Sequence, residues 1–233
     1  MVNTLNLGTL LLVLIGRVEP MYIYGGKEAI PHSRPYMVLL NMTSVNSNKP
    51  KYCDGFLVRE DFVITAAHCT ASYTKVKLGV HNVLEKDVLE ILVEKEFPHP
   101  NYSDSSFAND IMLLKLEKNA SFSNNVCCID LPHTANEKVP KNCLVSGWGV
   151  YNNATAGGSP VLREVNVTLE SENCSNIHEV LSLGPNGPLV GDSGSPLVCN
   201  GLAYGVVSGG DWNNKYYMCL SDYLDWITDT MMN

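Results

Sequence analysis

The strongest constraint on the fold of this chain is its punctuation. Apolar runs are short and closely spaced: residues 36–40, 55–58, 62–65 and 76–80 are broken off by Asn, Ser, Pro or Lys. Many such runs at close spacing predict antiparallel all-β structure. Residues 87–97 and 162–169 partly alternate apolar with polar side chains, the pattern of half-buried strands. Only at the C-terminus does a helical period emerge, with Tyr223, Leu224, Trp226 and Ile227 on one face behind Ser221, a residue suited to capping. This predicts a short closing helix packed on the sheets. Its other face carries Asp and neither Lys nor Arg, which disfavours a membrane-surface role. Residues 121–141, with several Asn, Pro and Lys, predict a connection between two halves.

A chain of 233 residues with 45% hydrophobic content can bury a large core. Its net charge of −8 argues against nucleic acid or an anionic membrane as the main partner. Residues 7–16 form an apolar run suited to a signal-peptide core and too short to span a bilayer. The expected organisation is a signal peptide and short pro-segment over residues 1–20, with the pro-segment boundary anywhere up to 22, and one domain over residues 23–231. Six Asn-x-Ser/Thr triplets and eight cysteines agree with an oxidising, secretory route. No metal-ligand spacing or cofactor motif is recognisable.

Three stretches carry the chemistry. Gly191-Asp192-Ser193-Gly194-Ser195-Pro196 puts glycines around a serine, so a tight turn can aim a hydroxyl and backbone N–H groups at one point. A serine hydroxyl is a poor nucleophile until a base takes its proton. Thr65-Ala66-Ala67-His68-Cys69 offers an imidazole, which titrates near neutral pH and can accept and return that proton. Asn109-Asp110-Ile111-Met112-Leu113-Leu114 offers a carboxylate to orient the imidazole.

In chain order these stretches give His, Asp and Ser, and with Ser146-Gly147-Trp148-Gly149 between the Asp and Ser stretches the sequence resembles the chymotrypsin-fold serine proteases from about residue 23 to the C-terminus. The stretch from Gly26 to Met37 narrows the resemblance to granzymes and mast-cell proteases. The resemblance implies two antiparallel six-stranded β-barrels with a short C-terminal α-helix. It implies a catalytic triad of His68, Asp110 and Ser193, with Ser208 supporting Asp110 and an oxyanion hole of the Gly191 and Ser193 N–H groups. It also implies activation by cleavage before Ile23, whose new α-amine pairs with Asp192, and disulfides Cys53–Cys69 and Cys143–Cys199. Cys127, Cys128, Cys174 and Cys219 have no family partners, which leaves free thiols, two unfamiliar bridges or an intermolecular link.

The departures bear on specificity and efficiency. Gly187 stands where trypsin-like relatives carry an Asp, so cleavage after Lys or Arg is not expected. Lys215 falls near the position at which a basic residue in some granzymes selects an acidic side chain, and Gly187, Ser208, Gly210 and Lys215 together form the expected specificity pocket. An acidic residue, a large apolar one and a blocked pocket all remain open. Ser195 replaces the second glycine usual after the nucleophile, and its Cβ threatens the local backbone. Gly209 stands where relatives often carry an aromatic residue. Met21-Tyr22 is not the acidic dipeptide of granzyme precursors. The implied function is a secreted or granule-stored serine endopeptidase acting on proteins or peptides, monomeric, without cofactor or metal, and open to serpin-type inhibitors. The alternative is an inactive homologue that binds peptides or receptors on the same fold.

Overall fold

The computed structural model describes residues 23, 25–44, 47–135, 137–149, 158–175 and 178–232. The expected signal peptide and pro-segment lie outside them.

The first half is a closed barrel of six antiparallel strands: β2 (Met37–Ser44), β3 (Ser47–Arg59), β4 (Phe62–Thr65), β5 (Tyr73–Leu78), β6 (Leu89–Pro98) and β7 (Met112–Leu116). They run around the barrel in the order β2-β3-β4-β7-β6-β5. The short runs of the sequence fall in these strands. Alternation decides which way each side chain points: Val38, Leu40 and Met42 of β2 enter the barrel core. Met37 and Leu39 pack outward in a cluster with Trp148.

The second half carries the six strands expected of the second barrel and a short seventh at its edge. It is a seven-stranded sheet built from β1 (Lys27–Glu28), β8 (Asn142–Gly147), β9 (Arg163–Thr168), β10 (Glu179–Leu183), β11 (Pro196–Cys199), β12 (Leu202–Gly210) and β13 (Asn214–Cys219). The order is β1-β9-β8-β11-β12-β13-β10. Its curl is completed only by an isolated bridge between Leu169 and Ser182. The seventh strand, β1, pairs with β9 through Lys27–Glu164 and Glu28–Arg163. This stitches the segment after Ile23 onto the second half, where Ile23 itself is buried among Val145, Val165, Leu197 and Tyr217.

Between the halves lies a shared apolar cluster. Phe56, Phe62, Ile64, Ile111 and Leu113 come from one side and Ala203, Val206, Met218 and Leu220 from the other. Burial of this kind contributes about 25 cal/mol per Å² of apolar surface, which locks the seam on which loops from both halves converge. The closing helix α1 (Leu224–Met232) covers the cluster with Tyr223, Trp226 and Ile227. It begins later than the sequence predicts: Leu220–Asp222 is a 3-10 turn, so Ser221 lies inside that turn and is not the helix cap.

Three disulfides are formed: Cys53–Cys69, Cys143–Cys199 and Cys174–Cys219. The third resolves part of the question left by the sequence, since it ties the loop before β10 to the end of β13. Cys127 and Cys128 remain free thiols, and burial together with the neighbouring Cys127 raises the Cys128 pKa.

Candidate active site

His68 sits on a 3-10 turn, Ala67–Cys69, at the end of β4. The Cys53–Cys69 bond pins that turn to β3. Asp110 immediately precedes β7, and Asn109 before it adopts φ 55°, a left-handed residue that turns the chain inward. The carboxylate is fully buried. Its Oδ2 lies 2.7 Å from His68 Nδ1, and its Oδ1 accepts the His68 backbone N–H at 2.9 Å. The Ser208 hydroxyl, on β12, donates to Oδ2 at 2.6 Å. Elements from both halves therefore hold one imidazole, and the ring meets the edge of Phe107 at 5.7 Å between centroids.

The turn carrying Ser193 is fastened by its own backbone and by the first half. Asp192 N–H donates to Leu189 C=O, Ser195 N–H to Asp192 C=O and Gly194 N–H to Val207 C=O. Asp54 N–H donates to the Ser193 carbonyl at 2.8 Å, and Cys69 Sγ lies 3.9 Å from the same oxygen. Gly194 is obligatory here: at φ +87° a Cβ would come within 2.2 Å of Asp54 O and Thr65 Oγ1. Among the described residues the Ser193 hydroxyl makes no hydrogen bond, and the Gly191 and Ser193 N–H groups have no protein acceptor.

Asp192 is fully buried, its carboxylate accepting Gly149 N–H at 2.8 Å and Leu189 N–H at 2.9 Å. Burial raises its pKa to about 7 against the pull of those two bonds. No bond joins Ile23 to Asp192 among the described residues, although Ile23 is 1% exposed and Gly25 packs against the Asn186 side chain.

Ser195 does not distort its surroundings. It stays out of the left-handed region, is fully buried, and donates its hydroxyl to Asp54 Oδ2 at 2.9 Å. Sequence reasoning passed over Asp54, although a carboxylate in the apolar run that follows Cys53 is itself a signal.

The Lys215 stem packs against Gly187. A Cβ on Gly187 would stand 3.1 Å from Lys215 Cγ, so a side chain there would compete with the lysine stem. Lys215 is 1% exposed, and its ammonium donates to the carbonyls of Asp211 and Trp212. Burial lowers its pKa, opposed by the nearby Asp211 carboxylate. Gly210, at φ +151°, closes against Asn214 O, while nothing crowds Gly209. A groove of about 640 Å³ runs from His68 past Ser208, Gly209 and Gly210 to Phe107, Glu179 and Tyr216. Glu179 and Tyr216 were not foreseen from sequence, because they reach the groove through the pairing of β10 with β13, two strands distant in the chain.

Cys53, His68 and Cys69 cluster closely enough to suggest a metal site, but both sulfurs are consumed in their mutual disulfide.

Comparison with known proteins accords with this geometry. The family model described as Trypsin matches residues 23–227. Duodenase-1 of Bos taurus is 41% identical over 243 residues, covering 95% of this chain and 96% of its own. Granzyme B of Homo sapiens is 40% identical over 238 residues, covering 94% of this chain and 95% of its own. A solved structure described as "Structure of GrC" superposes with a TM-score of 0.82 at 35% identity, covering 90% of this chain and 99% of that one. With a matching model over most of its length and relatives named as granzymes, chymases and duodenase, the chain belongs to the trypsin family of serine endopeptidases.

Proposed function

We propose that this protein hydrolyses peptide bonds through Ser193, His68 and Asp110 by way of an acyl-enzyme. His68 takes the Ser193 proton as the hydroxyl attacks the carbonyl, then returns it to the leaving amine. Asp110 fixes the ring tautomer and balances the imidazolium; the observation that carries this reading is its double hold on His68 together with the Ser208 bond. The free N–H groups of Gly191 and Ser193 are the donors assigned to the oxyanion. An α-amine released by cleavage before Ile23 is the counter-charge assigned to buried Asp192. The reading includes secretion or granule storage, action as a monomer and susceptibility to serpin-type inhibitors, as the family resemblance implies.

The specificity assigned is for an acidic side chain at the cleaved residue. Lys215 offers a buried ammonium with two of its three donors placed on backbone carbonyls. The third is available to a substrate carboxylate. A basic substrate side chain would meet this cation with no opposing carboxylate at Gly187. Hydrolysis of a fluorogenic series differing only in Asp, Glu, Leu or Arg at the cleaved position tests this. Asp or Glu is expected to be preferred, and strong cleavage after Arg contradicts the assignment.

A further inference from the structure

Asp54 is a carboxyl that the proposed hydrolysis does not use. It is fully buried on β3, directly after the disulfide that holds the His68 turn. Its Oδ2 accepts the Ser195 hydroxyl at 2.9 Å and Trp148 N–H at 3.2 Å, while its Oδ1 is buried with no partner. Its backbone is also engaged: the N–H holds the Ser193 carbonyl, and the C=O accepts Thr65 Oγ1 at 2.7 Å. One residue thus grips the nucleophile turn on both sides of Gly194.

A second carboxyl stands beside it. The position that a β-carbon on Gly147 would occupy is 2.4 Å from Asp54 Oδ2, 2.3 Å from Asp192 Oδ1 and 3.0 Å from Ser195 Oγ. The two carboxyls are therefore within about 5 Å, close enough for one charge to suppress the other. The remaining titratable neighbours offer Asp54 little. Tyr52 and Lys77 share the wall of one groove with it, and Lys77 is paired with Glu90 at 3.0 Å. Tyr217, from β13, lies near Asp192. His68 lies beyond the Cys53–Cys69 bond and is committed to Asp110. If Ile23 supplies an α-amine, that single cation cannot neutralise two buried carboxylates.

We infer that Asp54 is a positioning residue: in its protonated form its carboxyl holds the Ser195 hydroxyl, and through it the turn that presents Ser193. This rests on the proposed hydrolysis. Burial is the first cause that raises the Asp54 pKa, and Asp192 is the second; the Ser195 and Trp148 bonds oppose them. The sign follows. A carboxyl with a raised folded pKa stabilises fully below the ordinary carboxylate pKa of about 3.9, and that contribution is lost as pH rises through the folded value. The folded turn is most stable with this carboxyl protonated, and that stability declines as pH rises.

The test uses the chain beginning at Ile23 as wild type, Asp54→Asn, Asp54→Ala, Ser195→Gly and the double variant Asp54→Ala/Ser195→Gly. Fluorophosphonate labelling rate and melting temperature are measured from acid to mildly alkaline pH. Asp54→Asn, permanently neutral and nearly isosteric, is expected to label somewhat more slowly and to lose part of the alkaline decline in both readouts. Asp54→Ala is expected to label about tenfold more slowly at acid pH, the effect of one lost buried bond, with the deficit shrinking as pH rises. Ser195→Gly alone strands the Asp54 oxygen, and the double variant is expected to recover part of the loss. Asp54→Asn with the wild-type pH dependence, or a double variant whose loss is the product of the singles, overturns the inference. Wild type that never labels, but melts with a pH dependence that Asp54→Asn abolishes, contradicts the hydrolysis and leaves the protonated carboxyl standing.

Discussion

Asp110 holds His68 at two points, the ring at 2.7 Å and the backbone N–H at 2.9 Å. A carboxylate so engaged fixes both the position of the turn and the orientation of the imidazole. Asp110→Asn keeps the size and reverses half of the hydrogen-bonding sense, so the ring is expected to settle in the wrong tautomer. Turnover should fall by about 10⁴, as the same amide substitution does in the chymotrypsin family. A steady-state comparison checks it: a fall in kcat below tenfold would mean that the carboxylate does not orient the base.

Ser208 contributes through Asp110. Ser208→Ala removes one donor from a buried carboxylate and is expected to lower kcat about tenfold, since such a bond to a charged group is worth ~1.5–3 kcal/mol. KM should change little. A purely structural role would instead lower the melting temperature while leaving kcat intact.

Lys215 is the residue proposed to set the sign of the pocket. Lys215→Met retains most of the stem over Gly187 and removes the cation. Activity toward Asp and Glu substrates is expected to drop at least tenfold relative to Leu substrates, a shift of about 1.4 kcal/mol in discrimination. Unchanged ratios across the peptide series would show that the ammonium, bonded to the Asp211 and Trp212 carbonyls, never meets substrate.

Asp192, the proposed partner of the Ile23 α-amine, makes stability depend on pH. Its pKa, raised to about 7 by burial, means that the folded intact chain holds a proton the unfolded chain releases. The associated stability is complete below about pH 4 and is lost as pH rises through 7. A free amine at Ile23 would favour the carboxylate and push this loss toward lower pH. Thermal melts across that range are expected to fall more steeply for the intact chain than for chain beginning at Ile23, and parallel curves would contradict the pairing.

The Cys174–Cys219 bond closes a loop of 45 residues. Replacing both cysteines by Ser is expected to cost about 2–4 kcal/mol of stability, read as a lower denaturant midpoint. The bond anchors the segment from which Glu179 reaches the groove, so KM should rise as well.

Much of this molecule was legible from short-range pattern. Strand runs such as residues 62–65 announce themselves because a strand buries side chains by local alternation, and the motif around His68 announces itself because its neighbours pack in one way. What sequence could not supply depends on contacts between distant segments. Ser195 read alone is an intruder at a glycine position, and it becomes intelligible only with Asp54, 141 residues away. Cys174 and Cys219 likewise find each other only once β10 pairs with β13, across a sequence separation of 45, for which no spacing rule exists.

The central claim concerns Ser193, and covalent trapping addresses it most directly. Protein beginning at Ile23 is treated with a fluorophosphonate and digested, and the modified residue is located by mass spectrometry. Stoichiometric modification of Ser193, abolished in His68→Ala, is the expected result. Folded protein that stays unmodified at Ser193, or reacts equally well without His68, would contradict the account.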